Sequence, residues 1–308
     1  MGSAKRKAAC MKEITLLDGS IGQELVKRAG KKPTAMWSTA VLIDQPNLVR
    51  EVHNDYFSAG ASVATTNTYP VLKDRLEREG LADQIEILWA RAVQTACAAR
   101  KAHGAGRVAG AIGPLVASYR PELCPPAAEA EALYADIVAA LAPKVDVFIL
   151  ETMCSADQAE GLLRATGKTD TPSWLAVSVD DFNGKTLRSG EPLEALKPVL
   201  DRHKPDAVLI NCARPEAVNE GLEILKDFGL PFGAYANGFT KITDGFLTEA
   251  PTVDALQERQ DLDPKAYATH AMGWVAQGAS IIGGCCEVGP AHIAEIAKQL
   301  SQNGYRII

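Results

Sequence analysis

The chain has 308 residues, of which 47% are hydrophobic and 23% are charged, and its formal net charge at pH 7 is −6. This composition is typical of a globular protein with enough apolar material for a large core. The acidic balance argues against nucleic acid as the main partner, because phosphate binding needs a concentrated cationic face. No apolar run reaches the roughly 18 residues that span a bilayer, so the sequence predicts no membrane segment.

Residues 1–12 are basic but lack the apolar stretch of a signal peptide. We expect them to form a flexible, solvated tail, followed by a single domain over residues 13–308. The seven cysteines are odd in number and scattered, unlike the disulfide framework of a small secreted protein. The simplest interpretation is a protein of the reducing cytoplasm.

Eight short apolar runs are predicted to be strands. Most are apolar almost without interruption, as is typical of parallel strands that are covered on both faces. In chain order, the predicted strands are residues 13–19, 61–69, 107–114, 146–152, 173–180, 207–213, 231–237 and 280–286.

Helical patterns alternate with these strands. The predicted helices are residues 45–60, 81–104, 125–143, 155–168, 191–204, 214–229, 263–278 and 289–304. Such alternation predicts an α/β protein of the (β/α)8 TIM-barrel class. The alternative, an open doubly wound sheet, typically carries G-x-G-x-x-G after its first strand, whereas this sequence has "DGSIGQEL" there.

Polar residues follow several predicted strands. In a barrel the carboxyl ends of the strands meet at one face, where active sites are built. Two long connections, residues 70–80 and 238–263, are expected at the same face. The candidate residues at these strand ends are Asp18, Gly19, Ser20, Thr66, Asn67, Glu151, Asn211, Cys212, Cys285 and Cys286.

The cysteines at the ends of the sixth and eighth strands point to a metal site. Three converging thiolates, Cys212, Cys285 and Cys286, would suit Zn²⁺ and leave its fourth position open, as in catalytic sites. Gly283 and Gly284 would let the chain turn so that both following thiols reach one ion. A vicinal disulfide and a pair of buried core cysteines are the alternatives.

Two carboxylates, Asp18 and Glu151, end the first and fourth strands. They could cap helices or solvate the barrel rim. Alternatively, they could bind a cationic group such as an α-ammonium, while backbone N–H groups after Asp18 bind a carboxylate. The second arrangement would fit an amino-acid zwitterion.

Several motifs occur in order across nearly the whole chain: "LLDGSIGQEL", "TTNTY", "ILET", "SVDDFNGKTLRSGEPL", "INC" and "IIGGCCEVGPAHI". In these motifs the sequence resembles the homocysteine S-methyltransferase family. The resemblance implies a barrel with Zn²⁺ on the three cysteines as the catalytic centre. It also implies that homocysteine binds near Asp18, Gly19 and Glu151, with Ser20, Thr66, Asn67 and Asn211 as further candidate contacts.

The implied reaction is methyl transfer to the homocysteine thiol, which gives methionine. The chain ends shortly after its last barrel helix, with no folate or cobalamin domain, and this favours a sulfonium donor such as S-methylmethionine or S-adenosylmethionine. The partners would therefore be small molecules. Two alternatives stay open: a stand-alone acceptor subunit that works with a corrinoid, folate or betaine donor, and a non-catalytic zinc- or thiol-binding barrel.

Overall fold

All eight predicted strands are present in the computed structural model, which describes residues 12–30, 36–247 and 255–308. A short ninth strand at the end of the chain was not predicted. The strands are β1 (Glu13–Leu16), β2 (Val63–Thr65), β3 (Arg107–Ile112), β4 (Val147–Met153), β5 (Ser173–Val177), β6 (Ala207–Asn211), β7 (Phe232–Ala236), β8 (Ile281–Gly284) and β9 (Arg306–Ile307).

Parallel pairing closes these strands into a barrel. Hydrogen-bonded neighbours run in the order β2-β3-β4-β5-β6-β7-β8-β1, and a parallel bridge between Leu17 and Val63 joins the two ends. Strand β9 lies outside this ring, where it pairs with the first residues of β1. The predicted (β/α)8 barrel, formed by a single domain, is confirmed.

The eight predicted helices are also found, together with three that were not predicted: α1, α2 and α4. The full set is α1 (Ile21–Ala29), α2 (Ser38–Asp44), α3 (Pro46–Ser58), α4 (Lys73–Arg78), α5 (Ile85–His103), α6 (Ala127–Leu141), α7 (Ala156–Thr166), α8 (Lys197–His203), α9 (Pro215–Leu225), α10 (Pro264–Gln277) and α11 (Pro290–Gln302). Within the described ranges, none of the helices has the length and apolar character that a transmembrane segment requires.

Two segments with sequence predictions fall partly outside the described residues. Of the predicted tail, only Lys12 is described. The long connection 238–263 is described except for residues 248–254, and it contains a short 3-10 helix at Asp244–Leu247. The other long connection, 70–80, contains helix α4.

The apolar core has two layers, because successive strand residues point to opposite faces. Leu16 packs in the layer between the strands and the helices, whereas the adjacent Leu17 packs inside the barrel. Strands β7 and β8 approach closely at Gly233, where an added Cβ would lie 1.8 Å from the carbonyl oxygen of Ile281. This layering fixes which side chains of each strand can face the barrel interior.

Helix α3 carries a histidine whose burial leads to a testable prediction. His53 is fully buried, and neither ring nitrogen has a hydrogen-bond partner in the described structure. Burial lowers the pKa of His53 from 6.5 to about 4. Between these values the unfolded chain binds more protons than the folded chain, so stability falls as the pH decreases through this window.

We expect His53→Leu to remove this acid-dependent loss. Its advantage over the wild type in free energy of unfolding should grow by about 2 kcal/mol between pH 7 and pH 5. Urea unfolding of both proteins at several pH values measures the difference. Parallel stability curves for the two proteins would contradict the prediction.

Candidate active site

Three cysteine sulfurs meet at the mouth of the barrel. Cys212 follows β6, and Cys285 and Cys286 follow β8. Their sulfur atoms all lie within 4.8 Å of one another, so the cluster can bind a metal. In this structure Cys212 and Cys285 form a disulfide with a Cα–Cα distance of 5.7 Å, while Cys286 is a free thiol. The bond therefore joins two strands of the barrel, and the vicinal alternative is not what the structure shows.

The glycines before these cysteines have a different role from the predicted one. Neither Gly283 nor Gly284 has a positive φ. Instead, both allow close packing, since an added Cβ would lie 2.5 Å from Leu17 Cβ at Gly283 and 2.1 Å from Val288 Cγ1 at Gly284. Left-handed backbone is found instead at Cys212, with a φ of 49°, and at Glu287, directly after Cys286, with a φ of 64°. Close approach, rather than an unusual turn at the glycines, brings the cysteines together.

Two carboxyl groups lie in the same region. Asp18 is buried and accepts hydrogen bonds from the amide and the hydroxyl of Thr65, both at 2.6 Å. Burial raises the pKa of Asp18 to about 7, although these hydrogen bonds act in the opposite direction. Glu151 accepts a hydrogen bond of 3.0 Å from the Tyr235 hydroxyl, and burial raises the pKa of Glu151 to about 8. Burial thus shifts the pKa values of both carboxyls into the neutral range.

These groups share a cavity of about 710 Å³ at the barrel mouth. Nine of the ten predicted site residues line it: Asp18, Gly19, Ser20, Thr66, Asn67, Glu151, Cys212, Cys285 and Cys286. Aromatic side chains form much of the remaining wall, among them Trp37, Tyr69, Tyr119, Phe239 and Phe246. The cavity is therefore polar at the cysteines and carboxyls and aromatic around them.

Asn211, the tenth predicted residue, does not line the cavity. Its Oδ1 accepts a hydrogen bond of 3.1 Å from the Thr152 amide, and its Nδ2 donates one of 3.0 Å to the Thr152 hydroxyl. Thr152 lines the cavity and has a φ of 61°. Asn211 therefore holds Thr152, which lines the cavity, and does not itself face the cavity. The predicted contact of Asn211 with substrate is wrong.

Three of the lining residues already use their polar side chains within the protein. The Ser20 hydroxyl accepts a hydrogen bond from the Gln23 amide and caps helix α1. The Thr66 hydroxyl accepts one from the Ala111 amide, and Asn67 Oδ1 accepts one from the Ser38 hydroxyl. These residues shape the cavity wall more than they supply free groups to it.

An arginine that the sequence did not single out holds Cys212. Arg188 is nearly buried and forms an ion pair of 2.8 Å with Asp181. Its guanidinium also donates hydrogen bonds to the Ser178 hydroxyl (2.8 Å) and the Cys212 carbonyl (3.3 Å), and it stacks over the Tyr119 ring at 4.8 Å. Arg188 is distant in sequence from the cysteines, so spacing carries no signal for this contact.

Fold and site together define a class of protein: a (β/α)8-barrel enzyme with a cysteine cluster at the carboxyl ends of its strands. Residues 15–300 match the sequence profile of homocysteine S-methyltransferase, and the chain therefore belongs to the homocysteine S-methyltransferase family. This agrees with the resemblance in the sequence motifs. Membership of this family supports methylation of homocysteine as the activity.

Relatives cover nearly the full length of the chain. Homocysteine S-methyltransferase of Escherichia coli is 29% identical over 302 residues, which span 92% of this chain and 94% of that protein. The Bacillus subtilis homocysteine S-methyltransferase YbgG is 27% identical over 305 residues, with coverage of 92% and 93%. The crystal structure of the metallated form of E. coli MmuM superposes with a TM-score of 0.77 at 29% identity, covering 93% of this chain and 96% of that one. Its oxidized form gives 0.78 at 28% identity, with the same coverage.

The Arg188 contacts predict a change in metal affinity. Arg188→Lys keeps a charge beside Asp181 but loses the planar fork that reaches the Cys212 carbonyl. We expect metal affinity to fall about 10-fold, because groups that orient a ligand residue contribute on this scale. Competition with a chelator after reduction of the disulfide measures the affinity.

Arg164→Lys is the matched control for this prediction. Arg164 forms an ion pair of 2.6 Å with Glu160 on helix α7 and does not line the cavity. Equal metal affinities for the two lysine variants would show that Arg188 does not position Cys212.

Proposed function

We propose that this enzyme is a zinc-dependent methyltransferase that transfers a methyl group from a sulfonium donor to the thiol of L-homocysteine, giving methionine. S-methylmethionine and S-adenosylmethionine are the proposed donors. The observation that carries the proposal is the meeting of three cysteine sulfurs and two buried carboxyl groups in one cavity. A substrate with a thiol and an ammonium group needs a metal site for its sulfur and carboxyl groups for its ammonium.

The cysteine cluster fits zinc in its chemistry. Cys212, Cys285 and Cys286 would hold the ion once the disulfide is reduced, because thiolates are soft ligands and three of them leave a position for substrate. The metallated and oxidized forms of E. coli MmuM support a metal-dependent, oxidizable site in this family. When bound, zinc keeps a coordinated thiol in its thiolate form at neutral pH.

The carboxyls would bind the amino-acid part of homocysteine. An α-ammonium group beside Asp18 and Glu151 favours their ionised forms, so substrate binding would release protons from the site. The first residues of helix α1, Ile21 and Gly22, line the same cavity, and backbone N–H groups at a helix start favour a carboxylate. Both ends of the zwitterion would thus have partners.

The methyl transfer itself requires a thiolate that lies in line with the bond between the methyl carbon and the donor sulfur, in a site that excludes water. The homocysteine thiolate would attack the methyl carbon in line with the donor sulfur. The new S–C bond would form as the old one breaks, and its electron pair would return to the donor as a neutral thioether. Tyr119 and Phe246 pack against the cysteine cluster and would exclude water from this path.

Zinc content tests the metal assignment. Reduced wild-type protein should bind about one zinc per chain, and Cys212→Ala should bind it much more weakly because one of three ligands is lost. Cys97→Ala is the matched control, since Cys97 lies on helix α5 away from the cavity. Elemental analysis gives the stoichiometry. A well-folded Cys212→Ala protein with undiminished zinc would refute the three-cysteine site.

A panel of methyl donors tests the reaction. Reduced, zinc-loaded enzyme is incubated with homocysteine and, separately, S-methylmethionine, S-adenosylmethionine, betaine or methyltetrahydrofolate, and methionine is measured by mass spectrometry. We expect methionine from at least one sulfonium donor. Methionine from betaine or methyltetrahydrofolate alone would overturn the donor class. No methionine from any free donor would favour an acceptor subunit or a non-catalytic barrel.

A further inference from the structure

The wall of the cavity carries a second group of charged side chains, separate from Asp18 and Glu151. Arg75, Arg78 and Glu79 line the cavity and come from helix α4 and the residue after it. Arg78 and Glu79 are exposed, whereas Asp18 is buried. Helix α4 therefore marks the open end of the cavity, and the carboxyl at Asp18 marks its closed end.

Arg75 differs from its neighbour in having no acidic partner. Arg78 lies 3.8 Å from the Asp74 carboxylate, and 48% of its side chain is exposed. Arg75 forms no ion pair with any carboxylate in the described ranges, and its Nε is buried without a hydrogen-bond partner. A buried N–H group without a hydrogen-bond partner is costly unless a ligand completes it.

The surroundings of Arg75 suit a cation that carries a carboxylate. The guanidinium lies 5.4 Å from the centre of the Tyr69 ring, and the Trp37 ring packs edge-on against Tyr69 at 6.1 Å. Aromatic rings attract sulfonium and ammonium groups, and a guanidinium offers a planar fork that matches a carboxylate. The aromatic rings and the guanidinium line the same cavity.

We infer that Arg75 recognises the carboxylate of the methyl donor and so restricts the enzyme to donors that carry one. This inference rests on the proposed methyltransferase function. In the proposed function homocysteine takes its partners at the closed end of the cavity, from Asp18, Glu151 and the start of helix α1, all of which line it. Arg75 is left for the second substrate, whose methyl group must reach the sulfur from the open side.

Arg75 also has a structural contact that the experiment must separate. Its Nη2 donates a hydrogen bond of 2.9 Å to the Pro114 carbonyl, in the loop after β3. Loss of this contact would impair every donor equally, whereas loss of carboxylate recognition would impair only donors with a carboxylate. A donor in which the carboxylate is replaced by a neutral amide distinguishes the two roles.

The experiment compares S-methylmethionine with S-methylmethionine amide as donors for zinc-loaded wild type, Arg75→Met and Lys73→Met. Lys73→Met removes the same charge from helix α4, but Lys73 is exposed and does not line the cavity. We expect Arg75→Met to lower kcat/KM for S-methylmethionine about 10- to 100-fold, mainly through KM. Its kcat/KM for the amide should equal that of the wild type, and Lys73→Met should match the wild type with both donors.

Three outcomes would overturn the inference. Arg75→Met could lower kcat/KM for both donors by the same factor, which would assign Arg75 to holding the loop at Pro114. The wild type could use the amide as well as S-methylmethionine, which would leave the methyltransferase function intact without carboxylate recognition. Arg75→Met could weaken homocysteine binding in calorimetry with donor kinetics unchanged, which would assign Arg75 to the acceptor.

A failure of the proposed methyltransferase function would give a result different from these three outcomes. In that case the wild type forms no methionine from either donor. Calorimetric binding of S-methylmethionine to wild type and Arg75→Met, without homocysteine, then tests Arg75 directly. Binding that is at least about 10-fold weaker in the variant supports recognition of the carboxylate, and equal binding overturns it.

Discussion

Closure of the barrel is the constraint on which the whole site depends. Strand β1 pairs with β8 on one side and is bridged to β2 through Leu17 and Val63 on the other. Every strand of the ring therefore has two neighbours, and all carboxyl ends meet at one mouth. Cys212 and Cys285 are separated by 73 residues in the sequence, yet their Cα atoms lie 5.7 Å apart. Strands β6 and β8 both pair with β7, so the curved sheet, and not a local motif, brings these cysteines together.

Barrel closure also places charged side chains in or near the cavity, away from bulk water. These side chains are compensated in different ways. Arg188 is neutralised by Asp181, so its charge serves to hold the Cys212 carbonyl and is not available to a ligand. Asp18 has no cationic partner among the described residues, and burial raises the pKa of its carboxyl to about 7. Arg75, nearer the open end, forms no ion pair with a described carboxylate and cannot lose its charge. A carboxyl of raised pKa at one end of the cavity and a guanidinium at the other would suit the two zwitterionic substrates of the proposed reaction.

Much of the fold could be predicted because parallel strands in a barrel are covered on both faces and appear as uninterrupted apolar runs. Helix α4 was missed because its six residues are too few for a helical period to show. Asn211 is predicted to contact substrate because it ends the sixth strand at the barrel mouth, but adjacent strand residues point to opposite sides. Arg188 lies within the motif "SVDDFNGKTLRSGEPL", but its role could not be predicted from sequence, since its contacts with Cys212 arise only when the loop after β5 folds back.

Backbone strain around the cavity explains why so many supporting hydrogen bonds occur there. Five lining residues other than glycine have positive φ: Trp37, Val116, Tyr119, Thr152 and Cys212. Each such residue costs on the order of 1–3 kcal/mol and persists only where its surroundings enforce it. At Cys212 the Arg188 guanidinium and a hydrogen bond from its own amide to the Tyr235 carbonyl provide that support.

Helix α4 provides the equivalent support at the open end. The Val116 amide donates a hydrogen bond of 2.6 Å to the Asp74 carboxylate, and the Val116 carbonyl accepts one of 2.9 Å from Arg78. A β-branched residue is especially unfavourable at a φ of 65°, so these bonds hold a conformation that the chain would not adopt alone. The helix that presents Arg75 thus also fixes the loop opposite it. Both ends of the cavity are therefore set before substrate arrives, which lowers the entropy cost of aligning a donor methyl group with an acceptor sulfur.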